Sequence, residues 1–221
     1  MAQHSYSGVK SFEQCPRKYR DTKVLKLYPR EETEQTLYGT QLHEQAELHL
    51  LQGRPLDPSF KFLQPIMDSL AAMPGRRLCE HKMAVTSSLL PCDFDSAAYW
   101  CRGIADLIIV DDDNLTARVF DYKSGSNKYP DTDQLMLMSL LIFKHFPHIR
   151  RVTGGLLFVL KNTLSKYKVD REQENELWWR WKERVARLDN ALTHNIWPEK
   201  SSGLCKKYCE VVDCHHNGRR S

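Results

Sequence analysis

Gly103-Ile104-Ala105-Asp106-Leu107-Ile108-Ile109-Val110, the run Asp111-Asp112-Asp113-Asn114, and then Val119-Phe120-Asp121-Tyr122-Lys123 decide how this chain is read. Two runs rich in Ile, Leu and Val are separated by a cluster of turn formers, the signature of a β-hairpin. Strands are expected over 99–110 and 116–123. Side chains along a strand alternate between faces, so Asp121 and Lys123 share one face while Phe120 and Tyr122 point to the other. Asp106 stands between Ala105 and Leu107 on the preceding strand. A carboxylate in such a segment is costly to bury unless it is paired or holds a cation.

If the hairpin pairs as proposed, Asp106 approaches Asp121, and a divalent cation relieves the repulsion between them. Hard oxygen ligands suit Mg²⁺ or Mn²⁺. An ammonium at Lys123 beside such an ion orients a water nucleophile or stabilises the charge that builds on a phosphate. Spacing alone reads equally as an Asp–Lys ion pair on an exposed hairpin.

Outward from the hairpin, helical spacing predicts segments over 5–24, opened by Ser7 or Ser11, over 36–52 with Gly53 as a stop, and over 58–73 ended by Pro74-Gly75. A first strand is expected over 81–90, a buried helix over 132–146, a fourth strand over 152–160 and a long polar helix over 170–194. The tail after Pro198 lacks regular pattern. The order of helices, three strands, helix, strand, helix and tail implies an α/β fold with a small mixed central sheet flanked by helices. Trp178, Trp179 and Trp181 on the last helix read as packing residues or as a platform for the bases of a single strand.

The composition is that of an ordinary folded chain, with 41% apolar and 27% charged residues over 221 positions. No apolar run approaches the roughly 20 residues of a membrane helix. Met1-Ala2-Gln3-His4-Ser5 lacks the basic and apolar regions of a secretory signal, so a reducing, cytoplasmic setting and no membrane partner are expected. In that setting Cys205-x₃-Cys209-x₄-Cys214 reads better as metal ligation than as disulfides. Thiolates suit both iron–sulfur clusters and zinc, and His215 and His216 keep a Cys₃His zinc site open. Cys79, Cys92 and Cys101 have no metal spacing. The net charge of +4 is weak evidence for a polyanion partner. Arg17, Lys18 and Arg20 form a local basic group that is as much a solvated surface as a phosphate track.

Gly103 to Ile109 followed by Val119-Phe120-Asp121-Tyr122-Lys123-Ser124-Gly125 resembles the PD-(D/E)XK nucleases, in particular their RecB-like exonuclease branch, which includes CRISPR adaptation nucleases and phage exonucleases. Ser11-Phe12-Glu13-Gln14-Cys15-Pro16-Arg17-Lys18-Tyr19 is similar to the N-terminal box of that branch. Gly39-Thr40-Gln41-Leu42-His43 is similar to its helix bearing a metal-ligating histidine, and Asp133-Gln134-Leu135 to its helix glutamine. Two departures stand out. Ala105 replaces the proline of the superfamily name, and Met138 replaces the aromatic residue four positions after Gln134.

The resemblance implies a restriction-endonuclease-like core over about 36–165 within a single nuclease domain of 1–221. Its ends, 5–24 and 198–218, would form an appendage around a metal cluster. It implies metal ligation by His43, Asp106 and Asp121, catalytic roles for Asp106, Asp121, Lys123 and Gln134, and Glu80 as an accessory acid just before the first strand. It makes Cys15 the fourth thiolate of a [4Fe–4S] cluster with Cys205, Cys209 and Cys214, structural Zn²⁺ being the alternative. Arg17, Lys18 and Arg20 would hold the strand. His43-Glu44-Gln45-Ala46-Glu47 is not a zinc-protease motif, since that needs His where Glu47 stands. The implied activity is metal-dependent exonucleolytic hydrolysis of single- or double-stranded DNA ends, in recombination, repair or phage DNA processing. The alternative is an inactive nuclease fold that binds DNA or protein and is stapled by zinc.

Overall fold

The computed structural model describes residues 2–28 and 32–219. They divide into two compact units, one containing residues up to Glu32 together with those from Trp179 onward, the other spanning Thr33–Trp178.

The first unit opens with a two-residue strand, β1 (His4–Ser5), and helix α1 (Tyr6–Gln14). Ser5, rather than Ser7 or Ser11, caps α1, its hydroxyl accepting the Gly8 N–H. The helix expected over 5–24 is broken at Cys15, which is extended at φ −162° and ψ 110°. Pro16 is the cause: a proline disfavours helical backbone at the residue before it and is well placed as the first residue of a helix. Helix α2 (Pro16–Tyr19) therefore starts afresh, leaving Cys15 at the junction.

In the second unit, α3 (Glu34–Gln52) is capped by the Thr33 hydroxyl and ends at Gly53, whose φ of 65° is the left-handed conformation that favours glycine. A 3₁₀ turn (Pro58–Leu63) leads into α4 (Gln64–Ala71). The strands follow: β2 (Arg76–Val85), β3 (Pro91–Cys92), β4 (Cys101–Asp111) and β5 (Thr116–Lys123). Helix α5 (Asp133–His145) precedes β6 (Arg151–Phe158) and β7 (Thr163–Asp170). The strand order is β3-β2-β4-β5-β6-β7. Only the β5–β6 pair is parallel, the others of this series being antiparallel. A parallel neighbour needs a crossover, and α5 supplies it. Helix α6 (Glu174–His194) follows, its residues up to Trp178 belonging to this unit.

The expected hairpin is present, with Leu107 opposite Phe120 and Asp111 opposite Thr116. Its turn is held by the Asp111 carboxylate, which accepts from the backbone N–H and the side-chain amide of Asn114. One face of the sheet, with Leu107, Ile109, Phe120 and Tyr122, packs against Leu42, Ala46, Phe60, Leu63 and Met67 of α3, the 3₁₀ turn and α4. Helix α5 is buried without interruption from Leu135 to Phe143, as expected of a helix apolar all round. A Cβ added to Gly103 would lie 2.2 Å from the Met138 methyl and 3.2 Å from Leu141. The missing side chain on β4 thus admits Met138 from α5, which gives the aromatic-to-methionine departure a packing reason.

Three expectations are corrected. The first strand runs over Arg76–Val85 rather than 81–90, so Glu80 lies inside it. Strand β7 was not expected at all. It is an edge strand, largely polar, with Val169 its one buried residue. Such edges carry little apolar alternation. The short β3 was also not expected. Trp178 and Trp181 are buried, as the packing reading requires, whereas Trp179 is exposed.

Candidate metal and catalytic site

The site is built where β4 and β5 part. The hairpin ladder is paired as far as Leu107 and Phe120. One step beyond, the Asp106 carboxylate accepts the backbone N–H of Tyr122 at 2.6 Å. A side chain takes the place of the next rung, so the two strands cannot continue as a flat ladder.

Asp106 meets two further side chains there. Its Oδ1 lies 3.4 Å from His43 Nδ1, and Glu80 Oε1 lies 3.5 Å from the same nitrogen. Ligand atoms from His43, Glu80 and Asp106 all fall within 4.8 Å of one another. Glu80 reaches this position from inside β2 because its backbone is left-handed, at φ 44°. Neighbouring Cys79 pairs with Leu107 and His81 with Ala105, while Glu80 is squeezed between them. A non-glycine residue in this conformation is strained, and such strain tends to gather at functional sites. His43 is fixed from the other side by Tyr122, whose ring it meets edge-on at 5.7 Å.

The protonation states express what the cluster lacks. Burial opposes a charge on His43, yet hydrogen bonds and charge from Asp106 and Glu80 override it and raise its pKa to about 10. Asp121 is buried, and that burial, together with the Asp106 charge, raises its pKa to about 6 despite Lys123. The donor set of one imidazole and carboxylates fits a divalent cation such as Mg²⁺ or Mn²⁺.

Asp121 belongs to a second chain of contacts. Lys123 Nζ pairs with its carboxylate. Gln134, at the start of α5, donates its amide to Asp121 Oδ1 and accepts from Lys123 Nζ at 3.1 Å. Asp121, Lys123 and Gln134 therefore form a closed triangle in which each fixes the other two. Asp121 and Lys123 do share a face, as their spacing required.

Expected and observed positions differ in one respect. Glu80, expected just ahead of the strand as an accessory acid, is one of the three converging side chains, while Asp121 is engaged with Lys123 and Gln134. Glu44 and Glu47 of α3 line the same open cavity as His43 and Glu80, and they were not expected there. The signal was available for Glu47, which lies four residues after His43 and so on the same helix face.

In the other unit, Cys15, Cys205, Cys209 and Cys214 line one cavity, and all four are free thiols. The extended backbone at Cys15 places it there. His215 Nδ1 lies 2.9 Å and His216 Nε2 3.7 Å from the same Glu199 oxygen. The three basic residues expected to hold DNA are each paired within this unit. Arg17 meets Glu199, Asp21 and Asp213, Lys18 meets Glu210 at 2.8 Å, and Arg20 meets Asp21 at 2.6 Å. Arg17 and Lys18 thereby join the N-terminal segment to the C-terminal tail.

The family model of the PD-(D/E)XK nuclease superfamily matches residues 3–214. Among solved structures, the chain is similar to a protein of Eubacterium rectale named as a candidate exonuclease. The two are 14% identical, with 94% of this chain and 86% of that chain covered and a TM-score of 0.58. It is also similar to SSO0001, at 16% identity, with 97% and 86% covered and a TM-score of 0.46. At these identities the likeness is one of fold. No curated protein matches the chain. Among the described residues, no helix is long and apolar enough to cross a membrane.

Proposed function

This chain belongs to the PD-(D/E)XK nuclease superfamily, and we propose that it is a divalent-metal-dependent DNA exonuclease of the RecB-like branch. The observation that carries this reading is the meeting of His43, Glu80 and Asp106 beside the Asp121–Lys123–Gln134 triangle. His43, Glu80 and Asp106 would hold Mg²⁺ or Mn²⁺, with Asp121 completing the site. When bound, the cation supplies Lewis-acid charge to the phosphate. Lys123 is anchored by Gln134 with its ammonium at the edge of this cluster, where it orients the attacking water and stabilises charge on the phosphoryl oxygens. Gln134 holds Lys123 and Asp121 in place, so neither must reorganise as charge develops.

The cysteine cavity supports a [4Fe–4S] cluster as a structural staple. Four thiols from both ends of the chain line it, and metal binding would add directly to folding. His216 lines the same cavity, and Glu199, His215 and His216 converge closely enough to hold a cation, so structural Zn²⁺ is the second reading. A preparation made without oxygen should be brown and contain iron and sulfide; a colourless protein containing zinc would overturn this part.

The activity is tested with linear and covalently closed circular DNA in Mn²⁺. Progressive shortening of the linear form, with the circle intact and Asp121→Ala inert, is the expected result. Nicking of the circle would make the enzyme an endonuclease. Failure of the folded protein to cleave either DNA would remove the enzymatic reading.

A further inference from the structure

Nine residues separate Lys123 from Asp133, and this loop has both its feet in the site. It leaves β5 directly after Lys123 and enters α5 one residue before Gln134, and these two side chains are bonded to each other at 3.1 Å. The loop is tied down partway along, where Asn127 donates to the Thr163 hydroxyl at 3.1 Å and the Lys128 N–H to the Ser126 hydroxyl at 3.2 Å. Beyond that tie stands Tyr129, 82% exposed, with the Lys128 ammonium 5.3 Å from its ring centroid. An aromatic ring this bare, set by a cation and followed by Pro130, has no packing role within the chain.

Ser124, the residue after Lys123, lines one open groove with Glu34, Gln35, Leu37, Tyr38 and Gln41 of α3 and with Leu160, which follows β6. Leu37 and Leu160 are about half exposed, at 48% and 50%. The backbone carbonyl of Lys123 accepts the Val159 N–H at 3.1 Å, so the groove adjoins the catalytic lysine. This edge offers the aliphatic faces of Leu37 and Leu160 and the ring of Tyr38, beside the carboxylate of Glu34. Paired bases hide their faces in the duplex stack, whereas unpaired bases present them, and stacking on an aromatic side chain is tolerant of sequence.

We propose that Tyr129, with Lys128 on the flanking phosphate, seats unpaired nucleotides next to the scissile bond, which makes single-stranded DNA the preferred substrate. The proposal rests on the nuclease reading of the neighbouring site. Stacking holds the strand end, and Lys123 and Gln134, at the two feet of the same loop, receive the phosphate that follows.

The test uses the full chain with a thymidine oligonucleotide carrying one 2-aminopurine near its end, either alone or annealed to its complement, in Ca²⁺. Binding is read without turnover. The wild type should quench the 2-aminopurine and bind the single strand more tightly than the duplex. Tyr129→Ala should weaken single-strand binding by about 5- to 150-fold, the range expected for loss of one stacked base. It should leave the fluorophore bright and duplex binding unchanged, while Tyr129→Phe keeps wild-type behaviour. Equal binding and quenching by Tyr129→Ala, equal loss for single strand and duplex, or a wild type that does not prefer the single strand would each overturn the proposal. Failure of the nuclease reading shows separately, as wild-type protein that binds DNA and does not cut it in Mn²⁺.

Discussion

Metal binding at His43 must displace a proton, and this fixes how affinity varies with pH. In the metal-free site His43 is held protonated by Asp106 and Glu80, its pKa raised to about 10 against the burial that opposes it. Only the neutral imidazole ligates a metal. Below that pKa each Mn²⁺ that binds releases one proton from His43, so the dissociation constant falls roughly tenfold per pH unit, or about 100-fold from pH 6.5 to 8.5. Asp121, with its pKa raised to about 6 by burial and the Asp106 charge, steepens the dependence further below pH 6.5. Isothermal titration in buffers of different ionisation enthalpy counts the released protons directly. His43→Ala should bind more weakly, with a flattened pH profile. An affinity constant across pH 6.5 to 8.5, or binding without proton release, would refute the reasoning and place the ion away from His43.

The same two groups predict that metal-free protein loses stability as pH rises. Both hold more protons when folded than when unfolded, so stability falls through the windows from 3.8 to about 6 for Asp121 and from 6.5 to about 10 for His43. Thermal melts with chelator should show a falling midpoint between pH 7 and 9 that saturating Mn²⁺ opposes; a rising midpoint would contradict the sign. Lys123→Ala should lower kcat by about 10²- to 10³-fold, the usual loss for one preorganised charge donor. Mn²⁺ affinity should change far less, as titration with both proteins would show. Gly103→Ala drives a Cβ into the Met138 methyl and should cost about 1–3 kcal/mol in a denaturant melt. Adding Met138→Ala should relieve that clash.

The hairpin and the shared face of Asp121 and Lys123 were legible because they are local. Alternating Ile, Leu and Val around a run of aspartates specify two strands and a turn, and a spacing of two puts Asp121 and Lys123 on one face whatever surrounds them. The buried crossover helix was legible for the same reason, since α5 is apolar on every side. Glu80 was harder to place. Its position beside His43 and Asp106 depends on one left-handed residue within β2, an irregularity that leaves no mark in composition or periodicity. Strand β7 was hidden by its own exposure, because an edge strand held by backbone pairing to β6 needs few apolar residues. The ion pairs of Arg17 and Lys18 were hidden because Glu199, Asp213 and Glu210 lie nearly two hundred residues away. The one local partner, Asp21, was in plain view, four residues after Arg17 and next to Arg20.

The most direct test of the account is the rate of cleavage of end-labelled DNA as Mn²⁺ is titrated into wild-type and Asp106→Ala protein at pH 8. The account predicts no cleavage without metal, a rate that saturates with Mn²⁺ in the wild type, and a loss of about 10³-fold or more in the variant, comparable to removing the main electrostatic element of a hydrolytic site. Cleavage that persists in chelator, or an Asp106→Ala enzyme as fast as the wild type, would contradict it.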